Sequence, residues 1–402
     1  MFLVVSTLIK LVVFALVFAL GLAAILTWME RRQSAYSQDR LGPTRAHFFK
    51  LFGRPFVLFG LLHIVADALK MFFKEPFIPK DADRGIFRVA PLIGFCTSLV
   101  ILALVPFGPD LVTERWGVIP LQVARIDAGL LLVLAVGSLG VYGVALAGWA
   151  SNNRFALLGG MRASAQSVSY EIALGLTIVG VLIAYGSTEL SAIVNAQRGL
   201  VHGFLPNWGI FIQPFAAVLF FVAATAETKR APFDLPEGES EIIGYFLEYS
   251  SMGFGMFMLG EFIEIVVLSC VFVTLFLGGW QLPYLIGDTS SSFLFGSLFG
   301  VNNSVAHALD GMLVFGIKVF FMCAFQLQVR WTLPRFRYDQ LMRLGWKTLL
   351  PLALANIFAT ALLTWWDPTL KILGHVGVAM ILMFVLVVVA GPRRVPAESH
   401  GH

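Results

Sequence analysis

Nine apolar stretches, at 3–29, 89–107, 127–150, 166–186, 207–226, 250–279, 308–331, 349–366 and 371–391, take up about half of the 402-residue chain. A helix of about 20 apolar residues crosses the hydrocarbon core of a bilayer, and each run is near or above that length. Backbone amides have no water to bond to in lipid, so spanning segments of this length must be helical. The expectation is an all-α polytopic membrane protein with about nine transmembrane helices. Composition agrees: 58% of residues are apolar and 13% charged, against about 25% charged in soluble domains. A water-soluble globule is excluded. The first run lacks a positively charged leader and continues to Glu30-Arg31-Arg32, so it reads as a permanent span and not a cleaved signal.

With nine spans the connections alternate between two sides, and their basic residues fall unevenly. The connections 30–88, 151–165, 227–249 and 332–348, the tail 392–402 and Arg330 hold 22 of the 28 lysines and arginines. The positive-inside rule then puts the N-terminus outside and the C-terminus in the cytoplasm. No linker divides the chain, so 1–391 reads as a single membrane domain with a short cytoplasmic tail. The net charge of +4 comes without a basic run, which argues against nucleic acid as a partner.

Three constellations stand out against this background. Within 30–88, Pro55 to Glu75 reads PFVLFGLLHIVADALKMFFKE, with His63, Asp67, Lys70 and Lys74 at helical spacing among apolar residues. That pattern describes an amphipathic helix at the membrane interface, between the first two spans. It serves either as a peripheral anchor or, through His63 and Asp67 one turn apart, as a proton-handling pair near Arg31 and Arg40. The connection 227–249 carries Glu227, Asp234, Glu237, Glu239, Glu241 and Glu248 against Lys229 and Arg230, and Pro232 and Pro236 break any helix there. It is either an acidic docking surface or a group of crowded carboxylates that share protons. Glu261 and Glu264 lie inside the sixth span on one helix face, Glu171 inside the fourth and Lys318 inside the seventh. An ionised group at that depth costs on the order of 3 kcal/mol unless paired, so it marks a pathway or a partner. A structural Glu–Lys pair through Lys318 competes with a proton-handling chain. The excess of buried acid over buried base favours the chain.

Other chemistries find no support. The chain has no phosphate-cradling glycine loop and no H-E-x-x-H, and Cys96, Cys270 and Cys323 form no C-x-x-C pair. No metal ligand set is expected.

The segment ETKRAPFDLPEG from Glu227 to Gly238, continued by Glu239-Ser240-Glu241, resembles the signature loop of the quinone-site membrane subunit of respiratory complex I. Further matches are Glu30-Arg31-Arg32, Arg40-Leu41-Gly42-Pro43, Ala66-Asp67-Ala68-Leu69-Lys70, Gly148-Trp149-Ala150-Ser151-Asn152, Ser169-Tyr170-Glu171 and the run from Pro334 to Met342. The resemblance implies a translocase subunit of NADH:quinone oxidoreductase with no redox centre of its own. Iron-sulfur clusters and FMN would lie in partner subunits, and quinone would be the substrate. Its partners would be other membrane subunits, the peripheral-arm subunits and the lipid bilayer. Arg31, Arg40, His63, Asp67, Ala68, Arg330 and Arg335 would line the quinone path. Glu171, Glu227, Glu237, Glu239, Glu241, Glu248 and Glu261 would relay quinone chemistry to proton pumping.

This chain departs from the pattern in several places. Extra residues follow Pro43 through Arg54, His63 stands where relatives commonly have Gln, Glu264 where they commonly have Asn, and the ninth span is absent from many of them. The stretch from Glu241 to Glu248 is one residue short, which would rotate Glu248 by about 100° if helical. The alternatives are the equivalent subunit of a membrane-bound hydrogenase or ferredoxin-linked complex, and a proton-coupled secondary transporter.

Overall fold

The computed structural model describes residues 2–47, 50–51, 54–55, 57–113, 117–201, 205–236, 238, 244–283 and 304–390. The described residues form helices, with three two-stranded ribbons in the connections. Among the described residues seven helices are long and apolar enough to cross a membrane: α1 (Ser6–Ser37), α3 (Arg84–Leu102), α4 (Gly129–Ala150), α5 (Arg154–Tyr185), α9 (Ser251–Phe276), α10 (Ser304–Thr332) and α11 (Tyr338–Trp366). Shorter helices are α2 (Leu62–Phe73), α6 (Leu190–Ala196), α7 (Gly209–Ile212), α8 (Pro214–Glu227) and α12 (Lys371–Ala390).

The all-α polytopic expectation holds, and seven spans meet the length criterion where the sequence suggested about nine. The fifth apolar run is interrupted: α7 and α8 are separated at Gln213, whose backbone leaves the helical region. Pro214 opens α8 because it has no N–H to donate and its ring clashes with a preceding turn. The Gln213 side chain closes the gap by donating to the Gly180 carbonyl on α5 and the Thr360 hydroxyl on α11, each at 3.0 Å. The ninth run, α12, packs on this break, with Gly377 against the Phe211 carbonyl and the Pro214 ring. The tail 392–402 lies outside the described residues.

Helix ends follow local chemistry. Asp83 accepts from the Gly85 and Ile86 amides at the start of α3, Asn153 accepts from Phe155 at the start of α5, and Gly186 ends α5 in the left-handed region. Small residues set the closest helix approaches, as is usual where lipid supplies no hydrophobic drive between helices. A Cβ on Gly143 of α4 would stand 2.7 Å from the Gly94 amide nitrogen of α3. The axis of the bundle is α9, whose residues from Ile265 to Phe276 are all buried. The amphipathic segment forms α2, which has no buried residue and leaves Leu69, Phe72 and Phe73 exposed. It rests on α9, where the Ser251 hydroxyl donates to the Met71 carbonyl at 3.0 Å.

Candidate functional site

The 227–249 connection, the end of α1, the start of α9 and the end of α10 meet at one end of the bundle. From there a cavity enters between α3, α4, α5 and α9. It encloses about 60 Å³, space for a few waters at roughly 10–15 Å³ each. Glu227 closes α8, Glu261 and Glu264 project from one face of α9, and Lys229, Tyr245, Ser167, Thr97 and Ser98 complete the polar lining. Glycines supply the room: a Cβ on Gly137 would sit 3.8 Å from Glu227 Oε1, and one on Gly140 would sit 3.2 Å from the Thr97 hydroxyl.

Each acid has its own environment. The Tyr245 hydroxyl donates to Glu261 Oε1 at 2.9 Å, and Arg230 Nη2 lies 3.5 Å from Glu261 Oε2. Lys229 Nζ is 3.9 Å from Glu264. Glu227 Oε2 is buried with no hydrogen-bond partner among the described residues. Glu171 accepts from the Ser138 hydroxyl of α4, apart from the residues that line the cavity. Glu248 accepts from the Asn153 amide at 2.7 Å and also stands off the lining. Tyr245 to Glu248 form a turn and not a helix, so the 100° rotation expected for helical spacing does not apply. Glu237, Glu239 and Glu241 lie outside the described residues.

Among the described residues Lys318 pairs with no acid. Its Nζ donates to the carbonyls of Leu277, Gly279 and Gln281 at 2.7, 2.9 and 2.6 Å and sits over the Trp208 ring. It caps the far end of α9, and the Glu–Lys pair weighed from the sequence is not formed. The cations that reach the acids are Lys229 and Arg230, from the connection itself. Among the described residues no three His, Cys, Asp or Glu side chains converge as a metal site.

The second group of sequence-derived residues lies along the edge formed by α1, α2 and α10. Arg31 pairs with Asp67 at 2.6 Å, tying α1 to α2. His63 and the exposed Ala68 share α2 with Asp67, and His63 Nδ1 is enclosed without a hydrogen-bond partner among the described residues. Arg40 donates to the Ser34 hydroxyl at 3.3 Å. Across the edge, Arg330 pairs with Glu30, Arg335 with Asp234 at 2.6 Å, and Gln33 donates to Gln328 at 2.7 Å. Burial pushes the Asp234 carboxyl above its ordinary range although the Arg335 guanidinium pulls it down. Phe336 stacks on Phe233 and its amide donates to the Pro232 carbonyl at 3.1 Å, so the acidic connection is welded to the end of α10. Glu30, Ser138 and Tyr245 do not stand out as site residues in the sequence. Only Glu30 carries a signal there, as a lone carboxylate beside two arginines at a span's end.

Such a structure defines a class: multi-pass membrane proteins that enclose ionisable side chains between their helices. Residues 9–361 match the family model described as NADH dehydrogenase. The chain is 46% identical over 352 residues to the H subunit of NADH-quinone oxidoreductase from Thermomicrobium roseum, covering 86% of this chain and 93% of that protein. It is 42% identical over 360 residues to the Bdellovibrio bacteriovorus protein of the same name, covering 84% and 90%. It is 44% identical over 333 residues to the Rickettsia canadensis protein, covering 82% and 86%. The chain belongs to the NADH dehydrogenase family, among its H-type members.

Proposed function

We propose that this chain is the membrane subunit of a proton-pumping NADH:quinone oxidoreductase that forms the quinone chamber and relays quinone reduction to proton movement. The relatives' shared name supports membership in that complex. The observation that carries the relay is the cavity in which Glu227, Glu261 and Glu264 face one another within the bundle.

Reduction of a quinone to quinol takes up two electrons and two protons. The electrons come from an iron-sulfur cluster of a peripheral-arm subunit, which is fed in turn through FMN, and this chain contributes no redox centre. A headgroup approaching the edge of α1, α2 and α10 meets Arg31, Arg40, His63, Asp67, Ala68, Arg330 and Arg335. Charge that appears there acts on carboxylates held in a poorly screening interior, where Coulomb interactions reach further than in water. Glu171, Glu227, Glu261 and Glu248, with Glu237, Glu239 and Glu241 of the same connection, then exchange protons toward neighbouring membrane subunits. The complex sits in the bacterial cytoplasmic membrane with the N-terminus of this chain outside and its C-terminus inside.

Glu261→Gln in the assembled complex keeps the shape and removes the exchangeable proton. Quinone reduction and proton translocation in liposomes should fall together, by about tenfold or more, the effect of losing some 1.4 kcal/mol from a coupled step. Unimpaired rates of both quinone reduction and proton translocation would take Glu261 off the path.

A further inference from the structure

Four side chains alternate in charge from the edge of the bundle to the cavity. Arg330 of α10 pairs with Glu30 of α1, Glu30 Oε2 accepts from Arg230 Nη1 at 2.7 Å, and Arg230 Nη2 lies 3.5 Å from Glu261 Oε2. Exposure falls along the row, from 24% at Arg330 to 18% at Glu30, 9% at Arg230 and 4% at Glu261. The Arg230 guanidinium is held over the Phe262 ring, 3.9 Å from its centroid. Glu30 meets an arginine at each oxygen, whereas Glu261 accepts from the Tyr245 hydroxyl at Oε1 and has at Oε2 the longer ion pair with Arg230 but no hydrogen bond among the described residues.

A planar guanidinium with separate nitrogens can hold two carboxylates at once, yet both draw on one positive charge. At 2.7 Å against 3.5 Å, Arg230 leans toward Glu30. An ionised Glu261 in this dry setting needs the cation, and a protonated one does not. We propose that Glu30 and Glu261 compete for Arg230, and that Glu30 is the positioning residue through which charge at the α1–α10 edge sets whether Glu261 holds a proton. This rests on the reading of the cavity as a proton carrier and adds what governs it. Among the described residues, the other charged or titratable groups facing Glu261 are Tyr245 and Asp234 from the connection, Glu264 one turn along α9, and Glu227 and Lys229 across the cavity.

The competition gives opposite signs for two neighbouring substitutions. In Glu30→Gln, Arg230 turns fully to Glu261 and keeps it ionised. In Arg330→Gln, Glu30 loses its second cation, draws Arg230 harder and leaves Glu261 protonated. The readout is the infrared carboxylic acid band of Glu261 in the intact complex at fixed pH, assigned by its loss in Glu261→Gln. The protonated-to-ionised ratio should fall about tenfold in the first variant and rise about tenfold in the second, each corresponding to ~1.4 kcal/mol. Purely structural damage would move both variants the same way, and that result, or an unchanged band in either, overturns the competition. If Glu30→Gln does not assemble, Arg330→Gln decides alone, since a steady or weaker band there is equally fatal. Because the band is read without turnover, a Glu261 that proves dispensable for pumping would remove the relay and leave the band shifts standing.

Discussion

Glu30 stands at the end of a span, where a carboxylate next to two arginines is ordinary in sequence, yet in space it holds Arg230 and Arg330 from positions 200 and 300 residues away. Nothing local in one sequence encodes such a pairing. Glu171, Glu227 and Glu261 were legible for the opposite reason: a charge in or at the end of an apolar run is costly and so stands out. Lys318 shows the limit of that signal, because depth and sign suited an acid while the actual partners are three carbonyls that no pattern marks. His63 is the residue of α2 whose chemistry is most directly testable. If it supplies a proton at the edge, His63→Gln leaves assembly intact and displaces the activity–pH profile of the complex. An unchanged profile would leave α2 as an anchor only.

At the scale of elements, helix identity was readable from hydropathy, whereas helix interruptions depend on tertiary contacts. The run 207–226 has the composition of a span, but Pro214 breaks it and Gln213 repairs the break with partners on α5 and α11. The close pairing of α3 with α4 depends on Gly143. Gly143→Val should force the two apart, lowering stability by about 1–3 kcal/mol, read as a lower unfolding temperature of the purified complex. The start of α12 is fixed by Asp367, which accepts from Thr369 and from the Ile372 amide at 2.8 Å. The Thr369 hydroxyl first, then the Ile372 amide, hold the Asp367 carboxyl down at about 2. A carboxyl below its unfolded value stabilises the fold above the ordinary carboxylate range and loses that contribution as pH falls through about 2. Amide exchange at Thr369 and Ile372 should therefore be slower than in Asp367→Ala near neutral pH, and the difference should vanish as pH approaches 2.

The whole molecule divides unevenly between shared and added parts. The family match ends at residue 361, before α12, which covers the α7–α8 break from outside that region. Within the match, the described part of the acidic connection, the α1 and α10 ends and the α9 glutamates are joined by ion pairs, so the charges at the edge and the carboxylates of the cavity belong to a single electrostatic system. The sequence made the acids and the basic edge visible as separate groups. Their joining through Arg230 and Glu30 required the fold. A single path through the cavity has a signature in the assembled complex: Glu227→Gln and Glu261→Gln, measured singly and together for the rate of quinone-driven proton translocation, should be non-additive. The account requires the double variant to be no worse than the more impaired single one. Additive losses, or an unimpaired translocation rate in either single variant, would contradict it.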